Sequence, residues 1–347
     1  MKNIFTQLIL LLFLAGACSS GRRTVSINSS RPADITVDQS IQSLVILNRT
    51  KYSKEAVNVL EGILTGELPE EDKAAIQSFI IGFQKRLANS GRFETRVANE
   101  TFIGNSLTQA FPDPLPWSTI RVVCENYDAD AVIAIEMFDS DFIVTDGKSK
   151  KTVKNEDGEE IEIDEFSTSG VANITIGVRI YDPISEKIID QDLYRRTNEW
   201  NAQADTKSGA IAALINKTDA TRHLTNQVGS NYAYKIAPMP VQITRSFVGK
   251  SKKSPALEQG SRYADVGNWK EAARIWENGL TSVPSKEGGY LTYNLAVANE
   301  ILGNLNEARK WAERSYTQYG NNDARNYIQA LEQRIENEQL AEEQMGN

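Results

Sequence analysis

The residue types that most often carry catalysis are scarce in this chain. Among its 347 residues there is one histidine, His223, and there are two cysteines, Cys18 and Cys124. A histidine that acts as a general base needs a nucleophile and an orienting partner close by, and the neighbours of His223 supply neither. Cys124 lies in RVVCENY, on the apolar face of a predicted helix, which is typical of a buried, unreactive thiol. With no phosphate loop, dinucleotide fingerprint or His-Glu zinc motif, we predict neither enzymatic activity nor a cofactor.

Acidic residues are the other candidates for chemistry, because carboxylates can bind metal ions. Asp139 and Asp141 share one face of a predicted strand, where such charges are expected to face water. The acidic segment KNEDGEEIEIDE lacks the ligand spacing of a calcium-binding loop. Its Asp157-Gly158 pair instead predicts a hairpin insert near residues 150–165, and we expect no metal site.

Composition limits the class of protein and of partner. Hydrophobic residues make up 40% and charged residues 24% of the chain, which indicates a globular protein, and the length suggests two folded domains. The net charge of −8 argues against binding to nucleic acid, because that requires a basic surface.

The first eighteen residues, MKNIFTQLILLLFLAGAC, have the layout of a secretory signal. Lys2 supplies a positive start, and the apolar run Leu8–Leu14 is too short to span a membrane. The cysteine after three small residues resembles the lipobox of bacterial lipoproteins. That resemblance implies a signal peptide over residues 1–17, cleavage between Ala17 and Cys18, and a diacylglyceryl group on the Cys18 thiol. Several acyl chains would hold the protein stably in a bilayer. An ordinary signal peptide with a chance cysteine is the alternative.

The residues after Cys18 are mostly polar, so residues 18–40 are predicted to form a lipidated, flexible tether. Ser19 stands where an aspartate is linked to retention in the inner membrane, and no acidic cluster for surface export follows. By resemblance to other lipoproteins, we expect a lipid-anchored protein of the cell envelope on the periplasmic face of the outer membrane.

Residues 41–249 are predicted to form a mixed α+β domain, an α/β-like sandwich. Residues 41–50 begin with an apolar, β-branched run typical of a central strand, and Glu70–Asn89 carries apolar residues at helical spacing. Further strands are predicted at 131–138 and 171–182. The sequence also predicts strands at 93–98, 186–194 and 241–248, and helices at 118–127 and 221–236.

Four segments of this domain carry a resemblance: SLVILNRT, LANSGRFE, AVIAIEMF and VRIYDPISEKII. They resemble the soluble domains of curli-type secretion lipoproteins and the N-terminal domains of Tol-type periplasmic proteins. The resemblance covers roughly residues 41–248 and implies a periplasmic α/β fold without assigning any functional residue. Trp117, which follows three prolines, either lines a ligand pocket or packs a loop.

The C-terminal part of the chain contains a repeated motif. Small residues at positions 260 and 272 would let two antiparallel helices approach closely, and aromatic residues at 263 and 276 would surround that contact. A proline at 284 would end the second helix. This spacing resembles the tetratricopeptide repeat, and the motif residues are Gly260, Tyr263, Gly267, Ala272, Trp276 and Pro284. A second copy follows 36 positions later, near the family period of about 34, with Ala296, Gly303 and Ala308 in matching positions.

Residues 255–340 are therefore predicted as an all-α module of two tetratricopeptide-like repeats and a capping helix that starts at Asp323. The whole arrangement resembles a family of uncharacterised envelope lipoproteins with C-terminal tetratricopeptide repeats. We predict an adaptor that contacts the lipid bilayer through acylated Cys18 and binds another envelope protein through the helical module. The alternatives are a component of a secretion or envelope-assembly complex, a small-molecule or glycan-binding protein or enzyme using the α/β domain, and helices that only pack on that domain.

Overall fold

The structure, a computed structural model, describes residues 21–52, 69–105, 110–281 and 283–346. The predicted signal peptide, with Ala17 and Cys18, lies outside these residues. The chain divides into two units. A helical unit takes residues up to Arg31 and Pro240–Glu343, and a sheet unit takes Pro32–Met239 with the last residues from Gln344. Within the described ranges, no helix is both long enough and apolar enough to cross a bilayer.

The elements are as follows, in chain order: β1 Arg22–Arg31, β2 Ser43–Tyr52, α1 Pro69–Leu87, β3 Glu94–Asn105, α2 Trp117–Tyr127, β4 Ala131–Lys154, β5 Glu160–Asp182, β6 Lys187–Ala204, α3 Lys207–Ala213, α4 Lys217–Ile236, β7 Met239–Val248, α5 Pro255–Asp265, α6 Trp269–Asn278, α7 Ser285–Ile301, α8 Leu305–Thr317 and α9 Asp323–Met345.

The sheet unit is built on a five-stranded mixed sheet in the order β3-β2-β4-β5-β6. Strand β2 pairs in parallel with β3 and β4, whereas β4, β5 and β6 pair antiparallel. Both faces of β2 are buried, because Leu44 and Ile46 pack with α1 and α4 while Val45 and Leu47 pack with α2. This two-sided burial explains why the strand reads as a continuous apolar run rather than an alternating one.

The hairpin of β4 and β5 is longer than the sequence indicates. The two strands stay paired from Val132 to Lys154, and the chain reverses at Asn155–Glu159, where Gly158 has φ +82°. Strand β6 pairs with β5 only over Phe166–Asp182. The predicted insert near 150–165 is therefore the tip of one continuous hairpin. Most residues between this tip and the buried part of the strands are polar, and the apolar alternation of the outer half is confined to Val153, Ile161 and Ile163 beside the turn, so the sequence indicated only the tip.

The helical unit contains a two-stranded ribbon, β1 with β7, and the helices α5 to α9. This corrects two expectations. Residues 22–31 form β1 rather than a flexible tether, because Val25 packs into the helical core and Ile27 is buried. Strand β7, expected in the α/β domain, pairs with β1 instead. The predicted tether of residues 18–40 is shortened further because Val37 is buried in the sheet unit.

Candidate functional site

The helices of the helical unit pack in pairs through small residues. A side chain at Gly260 would overlap the indole of Trp276, which is fully buried, so only glycine allows α5 and α6 to approach this closely. Ala272 of α6 is fully buried in the same core. Gly260, Ala272 and Trp276 thus come together as the spacing predicts.

The second pair, α7 with α8, repeats this arrangement with alanines. Ala296 and Ala308 are both fully buried and belong to the same core. The turns inside the two pairs contain Gly267 with φ +78° and Gly303 with φ +82°. This left-handed conformation is strained for any residue with a side chain, so glycine is required at both turns.

Two motif residues differ from their predicted roles. Tyr263 is 37% exposed and so only partly fills the helix contact. Pro284 does not end α6, which stops at Asn278; it precedes α7, and its carbonyl oxygen accepts a hydrogen bond from the Gly288 N–H at 2.9 Å. With φ −58° and no N–H of its own, proline is suited to a helix start.

The ribbon lies across the first helix of each pair and across α9. The side-chain amide of Asn294 on α7 both accepts from the Val248 N–H and donates to the Val248 carbonyl oxygen, each at 2.8 Å. Ser261 on α5 donates to the same carbonyl oxygen at 3.3 Å. The ring of Phe247 packs against Trp269 and Trp276 at centroid distances of 5.5 and 6.0 Å. The end of β7 is therefore part of the helical core.

A buried carboxylate fastens the ribbon to α7 and α9. Glu300 is fully buried and accepts from Arg245 of β7 at 2.8 and 3.0 Å, and from Arg334 of α9 at 2.9 Å. The Tyr327 hydroxyl donates to it at 2.5 Å. Burial works against the charged form, but the hydrogen bonds from Arg245, Tyr327 and Arg334 outweigh it and lower the pKa of Glu300. Every acceptor position is used, so this cluster is a structural brace rather than a reaction centre.

These contacts were not visible in the sequence. The residues of the Glu300 cluster are separated by 55 and 34 positions, and no local pattern links them. Only the alternation of Val25 and Ile27 in a polar segment could have indicated β1. Because β1 and β7 contact α5, α7 and α9, the ribbon of β1 and β7 covers the surface that these three helices form together.

A second surface of the helical unit is open. A cleft of about 450 Å³, here called the tyrosine cleft, is lined by Ser285, Lys286, Tyr290, Tyr319, Gly320, Asn321, Asn322 and Asp323. Its walls are held by internal contacts. The Tyr319 ring packs where a Gly288 side chain would lie, and the Asn321 side-chain amide donates to the Gly289 carbonyl oxygen at 3.2 Å. The Lys286 ammonium lies 5.8 Å from the Tyr290 ring centroid. The cleft therefore presents two tyrosines, of which Tyr319 is held by packing, and an exposed cation beside Tyr290.

The sheet unit has its own buried carboxylate. Glu136 of β4 is fully buried between Arg49 at 2.5 Å and Arg179 at 3.3 Å, and the Tyr181 hydroxyl donates to it at 2.6 Å. Arg179 also lies over the Phe111 ring at 5.0 Å. The cluster ties β2, β4 and β5 together near the carboxyl ends of the parallel strands.

At the amino ends of the parallel strands, the sheet unit has a polar cavity of about 1340 Å³. Arg92, Arg96 and Arg121 are among its lining residues. Arg92 donates to backbone carbonyl oxygens, and Arg121 pairs with Glu186 at 2.7 Å. Arg96 pairs with Asp128 at 3.3 Å, but its buried Nη1 has no hydrogen-bond partner among the residues described. The cavity is thus lined by three guanidinium groups, one of which, Arg96, has a buried Nη1 without a partner among the described residues.

Cys124, His223 and Trp117, the residues considered for chemistry or ligand binding, make ordinary packing and hydrogen-bond contacts. The predicted burial of Cys124 is confirmed, and desolvation, followed by nearby carboxylates, raises the pKa of its thiol to about 12. His223 is exposed; its ring contacts Gln227 at 2.8 Å and Trp200 edge-on at 6.1 Å. Trp117 packs edge-on against Tyr181 at 5.8 Å, which supports a packing role. In the described ranges, no group of three or more His, Cys, Asp or Glu side chains could hold a metal ion.

Comparisons with known proteins add a family assignment. Residues 258–333 match the family model described as Domain of unknown function (DUF6340). No curated protein matches the chain. Among solved structures, the PelC dodecamer from Paraburkholderia phytofirmans has 12% identity and a TM-score of 0.25, with coverage of 60% of this chain and 96% of that chain. A neuraminyllactose-binding hemagglutinin homolog from Helicobacter pylori has 13% identity and a TM-score of 0.23, with coverage of 70% and 94%. At these TM-scores, the similarity supports no statement about this chain. Residues 41–247, more than half of the chain, match a further family model, and the chain therefore belongs to the family described as Domain of unknown function (DUF8603).

Proposed function

We propose that this protein is a lipid-anchored adaptor of the bacterial envelope that binds another envelope protein through its helical unit. In this proposal, cleavage after Ala17 exposes Cys18, whose acylated thiol holds the protein on the periplasmic face of the outer membrane. The protein acts by binding and not by catalysis, and it uses no cofactor. The observation that carries the proposal is the tyrosine cleft, which is a preformed recess. The surface formed by α5, α7 and α9 is instead covered by the ribbon.

We further propose that the paired helices are tetratricopeptide-type repeats. Three features support this: the close contact of Gly260 with Trp276, the buried alanines Ala296 and Ala308 in the second pair, and the turn glycines with positive φ. A repeat of this kind usually leaves a groove open for a partner. Here the ribbon of β1 and β7 fills the surface formed by α5, α7 and α9, so we assign the partner to the tyrosine cleft.

The chemistry of the cleft suits a protein partner. Tyrosine combines a large apolar ring with a hydroxyl and is enriched among the residues that dominate binding energy at protein interfaces. The packing of Tyr319 on Gly288 and the anchoring of Asn321 fix the walls in advance, which lowers the entropy lost on binding. Lys286 adds a positive charge beside the aromatic surface.

The proposal is tested by placing a photo-crosslinking amino acid at Tyr290 in the full chain and irradiating intact envelopes. We expect one discrete adduct with another envelope protein, which should disappear when Tyr319 is changed to alanine. The same probe at Tyr263, a partly exposed tyrosine of the same unit outside the cleft, is the control. Equal adducts at both positions, or none at Tyr290, would contradict the assignment. An adduct with a second copy of the chain would instead favour a self-assembling component of an envelope-assembly complex.

The polar cavity of the sheet unit favours a second candidate function, the binding of a small anionic molecule. The observation behind it is that three arginines, Arg92, Arg96 and Arg121, line a polar cavity of about 1340 Å³. Screening small carboxylates, phosphates and acidic sugars by thermal shift would test it. A ligand should raise the melting temperature of the wild type and not of Arg96→Gln. No shift with any of these anions would remove this candidate.

A further inference from the structure

The pentapeptide GKSKK occurs twice in the chain, at residues 147–151 and 249–253. The first copy lies in the outer half of the β4 and β5 hairpin. There, each lysine has a carboxylate opposite it on β5. The pairs are Lys148 with Asp164 at 2.8 Å, Lys150 with Glu162 at 2.9 Å, and Lys151 with Glu165 at 3.3 Å. The positive charge of the first copy is thus matched locally by negative charge.

The second copy lies between β7 and α5 in a different electrostatic setting. Lys250, Lys252 and Lys253 are all exposed, and no carboxylate of the described ranges pairs with them. Ser251 fixes the backbone of this segment, because its hydroxyl donates to Glu287 at 3.0 Å and its carbonyl oxygen accepts from the Ser254 N–H at 3.3 Å. The segment therefore presents three positive charges from an anchored backbone.

These lysines lie beside Gly21, the first described residue of the helical unit. The Gly249 N–H donates to the Gly21 carbonyl oxygen at 2.6 Å, and a side chain at Gly21 would contact Lys250. Only two residues, Ser19 and Ser20, lie between Cys18 and Gly21. The three Cα–Cα steps from Cys18 to Gly21 span at most about 11 Å, close to the Debye length of about 8–10 Å in salt solutions of physiological strength. A bilayer holding Cys18 is therefore within electrostatic reach of this segment.

We infer that Lys250, Lys252 and Lys253 bind the anionic lipid headgroups of the membrane in which Cys18 is anchored. The inference rests on the proposed acylation of Cys18. The chain as a whole carries a net charge of −8 and is repelled by an anionic surface. A basic segment that has no carboxylate partner among the described residues and lies beside the anchor therefore selects which edge of the helical unit faces the membrane. The attraction of one lysine to such a surface raises the equilibrium ratio of membrane-bound to free lysine about fivefold.

The test uses the full-length lipoprotein added to preformed vesicles of phosphatidylcholine, either alone or mixed equally with phosphatidylglycerol. A water-soluble amine-reactive ester labels exposed lysines, and mass spectrometry quantifies each one. On the anionic vesicles we expect Lys250, Lys252 and Lys253 to react about fivefold more slowly than on neutral vesicles, with the difference lost in high salt. Lys148, Lys150 and Lys151, in the same pentapeptide, should react equally on both.

Two variants separate charge from sequence. Lys252→Glu/Lys253→Glu should remove the slow reaction of the remaining Lys250, because two of the three attractive charges are reversed. Lys150→Glu/Lys151→Glu, the matched change in the other pentapeptide, should leave Lys250 slow. The same mass spectra report whether Cys18 is acylated. An unmodified Cys18 would contradict the anchor and with it this inference. An acylated Cys18 with equal labelling of Lys250, Lys252 and Lys253 on both vesicles would contradict this inference alone.

Discussion

Replacing Glu300 with glutamine tests whether the buried carboxylate holds the ribbon in the helical unit. Glutamine keeps the shape and can still accept one hydrogen bond, but it removes the negative charge between Arg245 and Arg334. Removing one partner of a buried ion pair typically costs about 3–5 kcal/mol, because the remaining charge stays buried without compensation. The Arg245 side chain is 18% exposed and can regain some water, so we expect the lower end, about 3 kcal/mol.

The measurement is native-state hydrogen exchange of the full chain, followed by mass spectrometry of peptides from β7, α7 and α9. A loss of about 3 kcal/mol corresponds to exchange roughly a hundredfold faster through openings that break the cluster. Glu307→Gln, an exposed carboxylate that pairs with Lys310 at 3.2 Å, is the matched control and should change exchange by less than about threefold. If Glu300→Gln resembled this control, the brace would contribute nothing and the reasoning would be refuted.

The same residue gives the helical unit a defined pH dependence. Because the pKa of Glu300 is lowered in the folded state, the stability it contributes is fully present above the ordinary glutamate pKa of about 4.3. That contribution is lost as the pH falls through the lower folded pKa. Acid should therefore destabilise the wild type more steeply than Glu300→Gln, in which the titrating group is absent. Parallel pH profiles below about pH 4 would contradict this part of the argument.

Three further changes test other parts of the structure. Native Cys124 should react with a maleimide far more slowly than after unfolding, because its thiol is buried and its pKa is raised to about 12; thiol labelling over time checks this. Gly260→Ala should destabilise the helical unit by about 2 kcal/mol in urea unfolding, since so close an overlap with the buried Trp276 costs about 3 kcal/mol and alanine regains about 1 kcal/mol of helix propensity. Glu136→Gln should lower the stability of the sheet unit by about 3 kcal/mol, as peptides of β2 and β4 would show by faster exchange.

The sequence was most informative where burial imposes a periodic pattern. The run SLVIL identified β2 because both of its faces are covered, and AVIAI identified the start of β4 for the same reason. The spacing of Gly260, Ala272 and Trp276 located the α5 and α6 pair, since close helix packing demands small residues at fixed positions. In these elements the physical constraint is local, and the residue types record it.

Elements defined by distant partners left no such record. Strand β1 has few apolar residues, and its order depends on pairing with β7, more than two hundred positions away. The outer half of the β4 and β5 hairpin is mostly polar and is held by cross-strand ion pairs. The two carboxylate clusters likewise join residues from separate elements. None of these contacts produces a repeating local pattern, so the sequence indicated a flexible tether in place of β1 and a hairpin confined to about residues 150–165 in place of the longer β4 and β5 pair.

The ribbon also determines which experiment can assign the partner. Deleting residues 255–347 would remove the helices against which Phe247 and Val248 pack and would leave Arg245 without Glu300. Such a truncated chain would expose apolar surface on β7. The loss or gain of a partner could then result either from removal of the binding site or from misfolding of the remaining chain. Point changes at Tyr290 and Tyr319 keep every helix, although Tyr290 also packs against the core and Tyr319 against Gly288. A partner that is lost from such a variant while the variant still unfolds like the wild type is therefore bound by the cleft, whereas a partner lost only on deletion reports the folding of the unit.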